Sequence, residues 1–284
     1  MKLVQFYRKS DPDQTIRAGL WQENGDVVPL AGGLTMKQLI VRGAEPGGFE
    51  RAVAATEERL PTEEIALVAP LHDPGKMIFV GLNYLDHAAE SKMEVPKVPV
   101  LFAKFANSIV GPDADVVIPA EVRQCDYEVE LAVIIGKKAK RVSREEAIDY
   151  VFGYTVINDV SARDLQLQEG QWTRGKAIDT FAPMGPCIVT KDEIADPHRL
   201  NISLTLNGKT MQSANTRDLI FDIPYLISFL SRTITLLPGD VISTGTPPGV
   251  GLGRNPPVWI KDGDVTEAYV EGIGTLRNRY VKES

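Results

Sequence analysis

In CDYEVELAVIIG, residues 125–136, Glu128 and Glu130 stand two apart inside an apolar run. Val129, Val133, Ile134 and Ile135 favour strand, and alternate side chains of a strand share a face. The two carboxylates therefore lie side by side, where they repel each other and, if buried, lose hydration. Either water covers that face, as in a half-solvated strand with its polar side outward, or something positive does. Asp159, in GYTVINDVSARDLQ, follows a β-branched strand, Tyr154 to Ile157, and a strand end is where a cavity mouth forms. An Asp just before SARD, which reads as a capping box, also serves simply to satisfy free helix N–H groups. Combined with Glu128 and Glu130, Asp159 becomes a third hard oxygen ligand. Three carboxylates with no His or Cys close in sequence suit Mg²⁺ or Mn²⁺ better than zinc. Mg²⁺ usually keeps open positions, and a 2-oxo acid offers two adjacent oxygens to fill them.

A second group lies in GLNYLDHAAES, where His87 and Glu90 are three apart at a helix start and so are neighbours on its surface. A carboxylate beside an imidazole orients the ring, and the pair can take a proton from a bound water. The same spacing also describes a surface histidine with a chance acidic neighbour. Lys176, in QEGQWTRGKAIDTFAPMGP, follows a glycine among aromatic residues, with Gln166 upstream. Lysines are mostly solvated; one that reaches a carboxylate site would bind a substrate anion or steady an enolate. In STGTPPGVGLG, glycines offer backbone N–H groups and Thr246 a hydroxyl to a carboxylate, without the Lys-Ser/Thr ending of a nucleotide loop. His72 and His198, beside DPG and DP, read as surface residues.

The elements that must position these groups are short and β-rich. Residues 1–70 form a small preface: LVQFY, a hairpin-like Asn24-Gly25, and a helical pattern around TMKQLIVRG. The Pro-rich join APLHDPGK at 69–76 marks a boundary, so a small domain, 1–70, precedes a catalytic body, 71–284. The body is a series of β-rich pieces punctuated by Gly and Pro, with helices expected at 143–151 and 219–232. It is not a βαβ repeat. The Pro- and Lys-rich stretch within residues 84–97 suits a mobile lid carrying His87 and Glu90.

Composition narrows the partners. The 31 basic and 38 acidic residues give a net charge of −7 with no basic block, which argues against a nucleic-acid partner. No apolar run approaches the roughly 18 residues of a membrane span, and the amino end resembles neither a signal nor a transit peptide. With two cysteines and no CxxC, a reducing compartment is expected: the cytoplasm, or the mitochondrial matrix if a transit peptide is missing.

The segments GLNYLDHAAE, YEVELAVIIGKKAK, GYTVINDVSARDLQ, GKAIDTFAPMGP, LNGKTMQ and PGDVISTGTPPGVG occur in this order over about residues 75–275. Together they resemble the fumarylacetoacetate hydrolase (FAH) family. The resemblance implies a mixed, mostly β fold, with a catalytic domain of the family's β-roll type and a small N-terminal α+β domain, in a homodimer. It implies Glu128, Glu130 and Asp159 as ligands of Mg²⁺ or Mn²⁺, His87 and Glu90 as the water-activating pair, and Lys176 and Gln166 beside metal and substrate. Thr246 matches a substrate-carboxylate contact. Arg163 of SARD and Lys104 of LFAKF are weaker transfers as substrate-binding residues, the alternative for the first being a brace for Asp164 or Glu128 and for the second a rim position.

Such enzymes act at C3 of small anionic 2-oxo acids, where the metal chelates the carboxylate and 2-oxo oxygens and stabilises the enolate. The opening MKLVQF, VPVLFAKFANSIVGP and TGTPPGVG resemble the family's longer forms, which implies oxaloacetate tautomerisation or decarboxylation, or action on an acylpyruvate or diketo acid. The alternatives are an acylpyruvate or fumarylpyruvate C–C hydrolase using His87 and Glu90, and an inactive metal-holding scaffold. Against the scaffold, His87, Glu90, Glu128, Glu130, Asp159 and Lys176 are all present.

Overall fold

A computed structural model of the chain describes residues 1–284 except 46, 54–55, 91–93, 169 and 284, and except the side chains of Ala88 and Ala89. Strand accounts for 36% and helix for 19%, so the architecture is mixed and mostly β, as expected. The largest sheet runs, edge to edge, through Val27–Pro29, Arg17–Trp21, Lys2–Arg8, Ala182–Thr190, Val151–Asn158, Val129–Ile135, Val241–Ser243, Met77–Gly81 and Val100–Lys104. Ile65–Val68 and Ile109–Val110 pair beside this path. A second sheet orders Lys209–Asn215, Asn201–Leu206, Val265–Val270, Gly274–Lys282 and Asp115–Ile118. Residues 1–70 join the large sheet through Lys2–Arg8, which pairs antiparallel with Ala182–Thr190.

Val129–Ile135 is buried at every position, which settles how its continuous apolar run is used. Val129, Leu131, Val133 and Ile135 enter one core, and Ala132 and Ile134 the other. A large buried aliphatic contributes about 1.5–3 kcal/mol. A one-residue slip would exchange the two faces and send Glu130 into apolar packing, so the register is pinned. On the Ala132 side, helix Met36–Gly43 covers the far part of the sheet with Met36, Leu39 and Ile40. Thr35 and Gln38 close its capping box, the N-terminal signature in TMKQLIVRG. The face is thus apolar under this helix and becomes charged toward Glu130 and Glu128.

The antiparallel register Val129↔Asn158 and Glu130↔Ile157 places Asp159, just past its strand, beside Glu128, and Asp159 N donates to Glu128 O at 2.8 Å. Expected elements differ in three places. The helix expected at 143–151 is only the 3-10 turn Ala147–Tyr150, because Val151 already enters the sheet. The capping box of SARD does not form: the Ser161 hydroxyl donates to Asp159 O at 2.9 Å, and Asp164 Oδ2 accepts from Arg123 N at 2.8 Å. His72 and His198 are half-buried rather than surface residues. His72 Nδ1 lies 2.9 Å from Gln5 Nε2, and His198 Nε2 accepts from Ile223 N at 3.1 Å where helix Ile223–Ser231 begins. Of the expected lid segment, 91–93 lie outside the described residues.

Candidate active site

Glu128, Glu130 and Asp159 converge as the strand register requires, with one oxygen of each lying within 4.8 Å of the others, all buried. Three cations surround them. Lys176 Nζ donates to Glu128 Oε2 at 2.8 Å and to Asp159 Oδ2 at 2.7 Å. Arg163 donates to Glu128 Oε1 through one terminal nitrogen, to Gln166 Oε1 at 2.9 Å through the other, and to Asp126 Oδ2 at 2.8 Å through Nε. Lys104 Nζ lies 2.5 Å from Asp159 Oδ1 and donates to Val160 O at 2.8 Å and Phe181 O at 2.6 Å. Glu130 is held by neutral donors, Ser243 Oγ at 2.5 Å and Gly245 N at 3.0 Å.

This arrangement leaves four acidic groups, Asp126 included, against three basic ones, and the excess falls on Glu130. Burial, then the Asp159 and Glu128 charges, raise the Glu130 carboxyl well above its ordinary value. Burial also pushes Glu128 up, but Arg163 and Lys176 outweigh it and hold that carboxyl below the usual range. For Lys176, burial opposes the charge while Asp159 and Glu128 restore it and raise the group overall. Lys104 is lowered to about 8, because burial costs its ammonium more than Asp159 returns. Asp159 Oδ1, though close to Lys104, makes no hydrogen bond of proper geometry. A buried surplus of negative charge, presented by hard oxygens with one acceptor unfilled, fits a divalent cation such as Mg²⁺ or Mn²⁺.

Across the cavity, helix Leu85–Glu90 carries His87 and Glu90. His87 Nδ1 lies 3.5 Å from Glu90 Oε2, a long contact. Both Glu90 oxygens accept from Gly249 N, at 3.1 and 3.0 Å. Gly253 packs flat against this carboxylate, since a Cβ there would lie 2.3 Å from Glu90 Cδ. Burial raises the Glu90 carboxyl, and the His87 and Gly249 hydrogen bonds outweigh it, leaving the group lowered.

His87, Glu90, Glu128, Glu130, Arg163, Gln166, Lys176 and Thr246 line one cavity of about 370 Å³. Asp159 and Lys104 are not among its lining residues. Lys104 is therefore not the rim residue its position in LFAKF suggests; it is buried behind the carboxylates, where it braces Asp159. Arg163 braces Glu128, not Asp164. The Thr246 hydroxyl donates to Val129 O at 3.0 Å and accepts from Gln212 Nε2 at 2.8 Å, so its proton is directed to the backbone. The remaining wall is apolar, with Phe102, Leu167, Trp172, Val250 and Leu252. Trp172 closes over Gly81, where a Cβ would meet its ring at 2.7 Å.

Three contributors lie outside the sequence-based set. Asp126 was signalled by DYEVE, where it extends the same alternation by one more acid. Gln212 accepts from Val129 N at 2.9 Å, between the two glutamates, and Ser243 binds Glu130. Gln212 ends LNGKTMQ and Ser243 lies in PGDVISTG, but neither motif signals a contact with a strand so distant in sequence.

Residues 76–281 match the family profile described as fumarylacetoacetate (FAA) hydrolase C-terminal. The chain belongs to this family. The rat (Rattus norvegicus) protein named oxaloacetate tautomerase Fahd2a, mitochondrial, is 44% identical over 290 residues, covering 99% of this chain and 92% of its own. A fumarylacetoacetate hydrolase from psychrophilic Exiguobacterium antarcticum superposes with a TM-score of 0.87 at 38% identity, with 100% of each chain covered. Maleylpyruvate hydrolase from Sphingobium sp. SYK-6 gives 0.79 at 33% identity, again over 100% of each. This FAH-family chain is therefore an enzyme. Among its described residues no helix is long and apolar enough to cross a membrane.

Proposed function

We propose that the enzyme interconverts the keto and enol forms of oxaloacetate, or of a closely similar small 2-oxo acid, by moving a proton at C3, as a homodimer. The observation that carries this is that Glu128 and Glu130 open into the same cavity as His87 and Glu90. The name of the rat relative supports oxaloacetate. Glu128, Glu130 and Asp159 would hold Mg²⁺ or Mn²⁺, which when bound supplies Lewis-acid stabilisation of negative charge on the 2-oxo oxygen.

The chain's own groups do the rest. Arg163 and Lys176 keep Glu128 ionised. Lys176 has a third proton beyond those given to Glu128 and Asp159, and it is available to a substrate oxygen. The Gln166 oxygen is taken by Arg163, which turns its amide donors to the substrate carboxylate. Thr246, its proton held by Val129 O, would need to turn to contact that carboxylate. His87 carries the proton, and Glu90, held in place by Gly249 N–H, faces its ring. Trp172 and Leu252 shield the cavity from water, which strengthens each charge contact.

A second reading is hydrolysis of an acylpyruvate by water activated at His87. The apolar wall of Phe102, Leu167 and Trp172 favours it, because an acyl tail packs there and a second carboxylate does not. The experiment is a panel of oxaloacetate, acetylpyruvate and fumarylpyruvate with Mg²⁺, followed by enol absorbance and pyruvate release. Accelerated equilibration of oxaloacetate enol without pyruvate release is the expected result. Faster pyruvate release from either acylpyruvate would replace the tautomerase reading with the hydrolase.

A further inference from the structure

Asp126 is fully buried, and its hydrogen bonds go in two directions. On one side, Oδ2 accepts from Arg163 Nε at 2.8 Å, and Arg163 grips Glu128. On the other, Oδ1 accepts from Gly251 N at 2.7 Å and Oδ2 from Leu252 N at 3.0 Å. Tyr127 N, at 2.8 Å from Oδ1, completes the set.

The loop so held is the one that holds Glu90. Its Gly249 N–H binds both oxygens of that carboxylate, and its Gly253 lies against it. The seat is tight: a Cβ on Gly251 would lie 2.6 Å from Asp126 Oδ1 and 2.0 Å from Val258 O. Tyr127, next in sequence, adds a second tie by donating its phenol to Gly249 O at 3.1 Å. An asparagine cannot replace Asp126, because its amide nitrogen would face donors in place of acceptors.

We infer that Asp126 is a positioning residue that ties Arg163, on the carboxylate cluster, to the loop holding Glu90, and thereby fixes His87 relative to the carboxylates. The role rests on the proposed function of the His87–Glu90 pair. Hydrogen bonds from charged groups are strong and directional, so one buried carboxylate can hold both sides.

The test compares D126N, E90Q and the double variant in the full chain, by oxaloacetate enol kinetics and by amide hydrogen exchange. D126N should raise exchange at Gly249, Gly251 and Leu252. It should lower kcat about 10- to 100-fold, with a smaller change in KM. Added to E90Q it should cost little more, because the carboxylate whose placement it serves is already gone. Wild-type exchange at Gly249 in D126N, or equal fold-losses in both backgrounds, would overturn the role. If D126N does not fold, Y127F keeps the buried ring and removes the second tie. Raised Gly249 exchange in Y127F, with a kcat loss absent in the E90Q background, supports the role, and unchanged exchange there overturns it. Exchange needs no substrate, so a wild type inactive on oxaloacetate would count against the proposed reaction while Gly249 exchange still decides Asp126.

Discussion

Glu130 belongs to the strand Val129–Ile135, covered on both faces, and Glu128 sits just before it, whereas His87 and Glu90 ride on a six-residue helix whose Leu85 and Asp86 face solvent. The carboxylates are placed by register and apolar burial, which are shared over many residues. On the His87–Glu90 side, the described contacts of the Glu90 carboxylate beyond His87 are Gly249 N–H and the flat approach of Gly253. Substitutions among the carboxylates should therefore cost stability as well as rate. Substitutions on the helix should cost rate alone.

The largest effect is expected from Asp159→Ala. It strands Lys104 as a buried charge without its carboxylate and leaves Lys176 with Glu128 alone, so denaturant unfolding should show a loss of about 3–5 kcal/mol, with activity abolished. Ala at Glu128 or Glu130 should also abolish activity, and full turnover by any of the three variants at limiting Mg²⁺ would break the metal assignment.

His87→Ala should lower kcat for acylpyruvate cleavage or enol conversion about 10²-fold, with unfolding unchanged. Oxaloacetate decarboxylation, which depends less on a proton carrier, should fall less. A stability loss comparable to that of Asp159→Ala would erase the contrast between the two sides of the cavity.

The pH dependence sharpens the contrast further. Glu130 has a raised folded pKa, so the folded cation-free chain retains a proton that the unfolded chain releases above its ordinary value of 4.5. The stability drawn from that proton is full below 4.5 and declines as pH rises. Glu128, being lowered, contributes stability that is lost only below 4.5. Lys104, lowered to about 8 from 10.5, contributes the opposite slope, but above about 8. Cation-free Tm should thus fall between pH 4.5 and about 8, and saturating Mg²⁺ should flatten the slope. A flat cation-free profile would remove Glu130 as the carrier of the excess charge. On the helix side the Glu90 contacts should survive at pH 4.5 and fail below it, as read from the Gly249 amide shift.

The smallest effect concerns motion. Oxalate with Mg²⁺ should slow amide exchange over Leu85–Glu90 relative to the free enzyme, because closure on a bound anion excludes water. Unchanged exchange at saturating oxalate would leave His87 in a fixed wall.

What could be read from the chain alone was local. Alternation puts Glu128 beside Glu130, the three-residue spacing makes His87 and Glu90 helix neighbours, and TMKQLIVRG carries a helical pattern. The ordered motifs carried the family, and of the residues named with it His87, Glu90, Glu128, Glu130, Arg163, Gln166, Lys176 and Thr246 line one cavity, while Asp159 and Lys104 do not. The same local logic misread SARD, because the Ser161 hydroxyl found Asp159 O, a partner absent from any helix-cap rule. Lys104 looked like a rim residue, yet the pairing of Val100–Lys104 with Met77–Gly81 turns it inward to Asp159. Gln212 and Ser243 reach Val129 and Glu130 from strands far along the chain, and the surplus charge on Glu130 exists only once all these groups are buried together. Tertiary structure decided these points because register, burial and the count of charges in one buried cluster are properties of several segments at once, and no single segment encodes them.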